Sequence, residues 1–184
     1  MKNESRPDGR VTLRQSARRI TRTAVLLALL IVLQTMTKPL GQFVTGSCVN
    51  LVLGVAALVG GVWCGVAVAL LSPLFAFLLG IGPAFLQLVP MIAAGNAVFV
   101  LLLHAMGRTD AGKRWLGAAA GAAAKALTLY LLIVKLALPL LGLPEKQTAL
   151  LSASFAWPQL VTALIGGALA AALYPTLKKA LRSA

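Results

Sequence analysis

The chain has 184 residues, of which 59% are hydrophobic and only 11% charged, with seventeen basic residues against four acidic ones. A soluble domain keeps roughly a quarter of its residues charged, so this composition excludes an ordinary soluble fold and specifies a membrane protein. The net charge of +13 does not specify nucleic acid, because the basic residues cluster where loops are expected.

Seven of them (Lys2, Arg6, Arg10, Arg14, Arg18, Arg19 and Arg22) precede or open the first apolar run. Residues 1–19 read as a basic, partly helical cytoplasmic tail lying along anionic lipid. Residues 20–184 read as one transmembrane domain. The run after the tail is followed by "QTMTKPLGQF", which lacks a small-residue cleavage pattern, so it is an uncleaved first helix rather than a secretion signal.

A bilayer-spanning helix needs about 20 apolar residues. Six segments are expected to supply one each: residues 20–36, 50–59, 62–79, 86–106, 115–138 and 150–177. The expected fold is all-α, a polytopic membrane protein with six transmembrane helices. Residues 37–47 are expected to form the longest outward loop, and Gly60-Gly61 a tight turn. Arg108, Lys113 and Arg114 share one loop, and Lys178, Lys179 and Arg182 close the chain. Placing these clusters and the N-terminus inside leaves Lys38 and Lys146 outside, an N-in/C-in topology obeying the charge rule for membrane loops. Cys48 and Cys64 then lie near opposite faces, which argues against a disulfide.

Small residues recur at four-residue spacing, at Ala24/Ala28, Gly61/Gly65/Ala69 and Gly117/Gly121. In lipid, close packing drives helix association, so these pairs mark either internal packing or a face for a partner subunit. The helix carrying Ala24 and Ala28 is the better candidate for the partner, being terminal in the chain.

The fifth helix holds two lysines and no acid. At 100° per residue, Gly117, Gly121, Ala124, Lys125, Thr128, Leu132 and Lys135 share one face, which is therefore expected to point inward, with Tyr130 and Ile133 pointing elsewhere. Lys125 falls about 15 Å along the helix from Trp115, near the membrane midplane, where an ammonium needs a cavity, a carbonyl cage or an anion. Lys135 falls near the outer rim, where it either joins the same site or reaches water directly. Asn96 in the fourth helix, Trp157 and Gln159 in "SASFAWPQLVT", and Asn50 at the outer start of the second helix complete an expected polar lining. His104, near the inner end, reads as interfacial.

Catalysis is not expected. The four acidic residues (Glu4, Asp8, Asp110 and Glu145) leave no carboxylate within a span for acid–base work or metal binding. The lone histidine has no carboxylate partner, Ser72 lacks the setting of a serine–histidine dyad, and there is no phosphate-binding glycine loop. No cofactor or metal is expected.

"ARRITRTAVLLALLIVLQ" followed by "NLVLGVAALVGGVWCGVAVALLSPLFAFLLG" resembles the first half of a substrate-binding S component of energy-coupling-factor (ECF) vitamin transporters. The shared features are a basic lead into an Ala-x-x-x-Ala helix, a glycine turn between helices two and three, a Ser-Pro in helix three, and six helices in under 200 residues. The resemblance implies that residues 20–85 form a scaffold and docking half, and residues 86–177 a substrate-binding half. It implies docking of Ala24 and Ala28 on a T component that carries two cytoplasmic ATPases, in a prokaryotic plasma membrane. Two inward lysines without an acid suit an anionic, vitamin-like substrate. The reading from another class is a non-transporting scaffold or assembly protein with no ligand pocket.

Overall fold

The structure, a computed structural model, describes residues 9–181; Lys2, Arg6 and Arg182 of the basic clusters lie outside them. The first helix, α1, runs Gly9–Thr37, so residues 9–19 of the expected tail and the first span form one continuous element. A single 3-10 turn (Lys38–Leu40) and Gly41 lead directly into α2 (Gln42–Val55). The outward loop expected over residues 37–47 is therefore absent. Gly41 adopts φ +88, which a residue without Cβ takes without strain, and one such residue reverses the chain where a loop was expected.

The second helix continues as a π-turn (Ala56–Gly60) up to Gly61, at φ +89, and α3 spans Val62–Leu78. The tight turn expected at Gly60-Gly61 is thus present. After a 3-10 turn at Leu86–Leu88, α4 covers Val89–Gly107. The fifth helix, α5 (Ala111–Leu129), continues through a π-helical stretch, Tyr130–Ala137, into the short α6 (Leu138–Leu141). The last expected span is two pieces, α7 (Glu145–Ser154) and α8 (Trp157–Ala180), separated at Phe155-Ala156. Pro158 in the first turn of α8 lacks an amide hydrogen, which suits a helix start.

Among the described residues the fold is wholly helical. Five helical segments have the length and apolarity to cross a membrane, and Val62–Leu78 is a shorter sixth. The chain is a polytopic membrane protein. Cys48 and Cys64 are free.

Helices α2, α4, α5 and α8 pack together at the centre, α3 lies against α4, and α1 lies outermost against α2 and α3. Only Leu30 is buried among the described side chains of α1. A main core gathers Leu53, Ala57, Val68, Phe99, Leu103, Ala122 and Ala170; a second, around Leu88, Leu129, Ile133 and Phe155, lies toward the other end of α5.

The α2–α8 contact depends on glycines from both helices, Gly46 and Gly54 on α2 and Gly166 on α8. A Cβ at Gly166 would stand 2.5 Å from Asn50 Cβ and 2.6 Å from Ser47 O, inside any tolerated contact. Only a bare backbone lets the two helices approach this closely, and the approach fixes where Asn50 sits.

The arginine loop between α4 and α5 is tied down. Asp110 caps α5, accepting from Gly112 N (3.2 Å) and Lys113 N (3.3 Å). These amide hydrogens, Gly112's foremost, hold its carboxyl below the ordinary carboxylate range. Arg114 donates to Gly107 O at 3.1 Å and lies 4.4 Å over the Tyr174 ring.

Candidate functional site

Lys125 lies between the two cores, 3% exposed, on the buried face of α5. Its ammonium donates to Asn50 Oδ1 at 2.6 Å and Asn96 Oδ1 at 2.7 Å. Asn50 Nδ2 in turn donates to Gly46 O at 2.8 Å and to Thr162 Oγ1 at 3.4 Å. One lysine thus joins α2, α4 and α5, and Asn50 extends the network to α8. An ammonium carries three donors, and the carboxamides take two.

Amide oxygens solvate a charge without neutralising it. Asp110 and Glu145, the acidic residues among those described, do not line the site. The Lys125 amine therefore faces no acid among the described residues, with the Phe99 ring 5.9 Å from Nζ, at the wall of a cavity of about 420 Å³. That volume is in the range of small-molecule sites, roughly 300–1,000 Å³. The walls are largely apolar, from Val49, Pro73, Phe77, Ile92 and Phe155, with Thr45, Ser72 and Gln159 among the polar residues. Around the mouth, Lys38 Nζ donates to Gly80 O at 2.6 Å and Gln42 Nε2 to Ser154 O at 2.6 Å.

Four of the residues expected from sequence meet at this cavity: Lys125, Asn96, Asn50 and Gln159. Asn50 does so because α2 begins at Gln42, eight residues earlier than expected. It therefore lies about 12 Å inside the helix instead of at its outer start.

Three residues do not line the cavity. Lys135 is exposed and lies 5.5 Å from the Tyr130 ring. Each i→i+5 turn takes in one residue more than an α-turn, so the π-helical stretch rotates the side chains beyond Leu129. The buried positions on this helix are Gly117, Ala118, Gly121, Ala122 and Lys125, and the four-residue series from Gly117 runs on through Leu129, Ile133 and Ala137, further than a uniform α-helix would keep it on one face. Ile133 is therefore inside and Lys135 outside, the reverse of the expectation. Thr128 is half-buried and returns its hydroxyl to Ala124 O at 2.8 Å. Trp157 is 64% exposed and packs on Phe43, ring centres 5.4 Å apart, because α8 starts afresh there and turns Pro158 and Thr162 inward.

The candidate docking residues also divide. Ala24 and Ala28 are exposed on α1. Gly65 is buried in the chain's own packing: a Cβ there would meet Val100 Cγ1 at 2.6 Å and the Ala57 backbone at 3.1 Å. Gly61 is the half-buried hinge before α3.

The cavity draws lining residues from both the expected scaffold half and the expected binding half. Gln34 and Lys38 reach it from the end of α1, Thr45 and Asn50 from α2, and Ser72 and Phe77 from α3. Sequence reasoning missed Thr45 and Ser72. The four-residue series Gln42, Gly46, Asn50, Gly54 was the available signal that α2 starts early and carries one inward face.

The sequence model of a family described as ECF transporter, substrate-specific component, matches residues 18–178. The chain belongs to this family. Comparison with curated proteins gives no match, and comparison with solved structures gives none. As a substrate-specific component of an ECF transporter, the protein is a membrane-embedded transport subunit.

Proposed function

We propose that this substrate-specific component captures a small anionic, vitamin-like molecule in the cavity walled by Lys125. It then delivers the molecule together with a T component and two cytoplasmic ATPases. The observation that carries the reading is the fixed ammonium: two carboxamides position it, one donor remains, and no acid among the described residues lines the cavity. An anionic oxygen about 4 Å away gains roughly 4 kcal/mol at an effective dielectric of 20. This role is capture rather than catalysis.

In this reading the termini and the loop 108–114 face the cytoplasm of a prokaryotic plasma membrane, and the cavity opens outward between the ends of α1, α3 and α7. The exposed small side chains of Ala24 and Ala28 on α1 suit close approach of a partner helix in lipid. The half-buried Gly61 would contribute at most the hinge at its edge.

Co-expression tests the assignment. The tagged chain should purify with a T component and two ATPases, and proteoliposomes of the assembly should take up ligand only with ATP. A chain that purifies alone under those conditions, with no small molecule retained, would favour a scaffold role instead.

A further inference from the structure

Two hydroxyls on the cavity wall have no hydrogen-bond partner: Thr45 Oγ1 on α2 and Ser72 Oγ on α3. Ser72 is only 2% exposed. Six other helical hydroxyls are satisfied locally. Thr23, Thr35, Thr37, Ser47, Thr128 and Ser154 each donate to the carbonyl four residues back. A buried hydroxyl without a partner is unfavourable. Two such groups on residues that line one cavity mark where a ligand's polar atom belongs once a side chain turns toward it.

The charge pattern limits the other end of that ligand. One ammonium hydrogen at Lys125 has no hydrogen-bond acceptor, the Phe99 ring lying 5.9 Å from Nζ, no arginine among the described residues lines the cavity, and Lys38, exposed at the mouth, gives one of its three donors to Gly80 O. A phosphate dianion recruits several charged donors. In the buried part of the cavity Lys125 is the one cation among the described residues, which fits a single carboxylate.

Resting on the reading of the cavity as the substrate site, we infer that Ser72 and Thr45 select a neutral polar atom of the substrate, which is a small amphipathic monocarboxylate. Its carboxylate meets Lys125, its apolar body lies along Phe77, Ile92 and Phe155, and a hydroxyl or carbonyl meets Ser72 and Thr45. Helix α3 thereby contributes specificity.

Hydrocinnamate, its meta- and para-hydroxy derivatives and the uncharged hydrocinnamamide are small enough probes. Their affinities are measured by calorimetry on the full chain in nanodiscs, for wild type, Ser72→Ala, Thr45→Val, the double variant and Lys125→Met. At least one hydroxy derivative should bind about fivefold tighter than hydrocinnamate, the effect of one neutral hydrogen bond. That advantage should vanish in the double variant while hydrocinnamate binds unchanged. Ligand-free Ser72→Ala should melt no lower than wild type, since it loses no bond. Lys125-dependent binding of hydrocinnamate with no hydroxyl preference overturns this inference and leaves the anion reading standing. Amide and acid binding equally, with the hydroxyl preference intact, overturns the anion reading and leaves the hydroxyl assignment. Failure of all four compounds to bind overturns the substrate class.

Discussion

Replacing Asn96 by leucine removes one of the two oxygens that hold the Lys125 ammonium while keeping nearly the same side-chain shape. The bond is 2.7 Å long, and both residues are almost fully buried. A hydrogen bond to a charged group contributes about 1.5–3 kcal/mol, but the single substitution also relieves the burial of an amide and adds apolar surface. Combining it with Lys125→Met in a double-mutant cycle cancels those offsets and isolates the pair. For a chain of this size 1 kcal/mol shifts Tm by about 2–4 °C, so the coupling should be roughly 3–12 °C. Melting of ligand-free protein in nanodiscs, followed by tryptophan fluorescence, supplies the four values. The double variant should be more stable than the sum of the single effects. A coupling below about 0.5 kcal/mol, the additivity limit of independent sites, would refute the network.

Gly166→Val should displace α2 from α8 and with it Asn50, lowering Tm by several degrees and weakening ligand binding together, whereas Gly112→Ala at the exposed start of α5 should leave binding unchanged. Substituting leucine at Ala24 or Ala28 should abolish ATP-dependent uptake while the isolated subunit keeps its ligand affinity; joint loss of both in calorimetry and uptake assays would assign these alanines to internal packing. Asp110→Ala should lower Tm at neutral pH. Because the folded carboxyl is held below its ordinary value, its contribution is present above the carboxylate range and fades as pH falls through the depressed value. A pH series of melting curves should therefore show wild type and variant converging in acid.

Helix count and the inward face of α5 around Lys125 are legible because apolar length and small-residue spacing are local signals. The Gly60-Gly61 turn is legible for the same reason. The differences all arise where one or a few residues reset the direction of the chain or the phase of a helix. Gly41 turned an expected loop into a helix start and moved Asn50 from the rim to the interior. The π-helical stretch after Leu129 exchanged Lys135 for Ile133. The break at Phe155-Ala156 sent Trp157 outward. Ser72 and Thr45 were not legible, since nothing in sequence shows that a helical hydroxyl lacks its usual backbone acceptor.

The role of Lys125 is tested most directly by the affinity of the purified protein for the small molecule it retains, identified by native mass spectrometry and titrated against Lys125→Met and Lys135→Met. Loss of a charge-assisted contact of about 1.5–3 kcal/mol at Lys125 predicts a ten- to hundredfold weaker Kd, at about 1.4 kcal/mol per decade. Lys135, exposed outside the cavity, should change Kd less than about twofold. Equal affinity in wild type and Lys125→Met, with a lower melting temperature in the variant, would make Lys125 a structural tie between helices and contradict its role as the anion's partner.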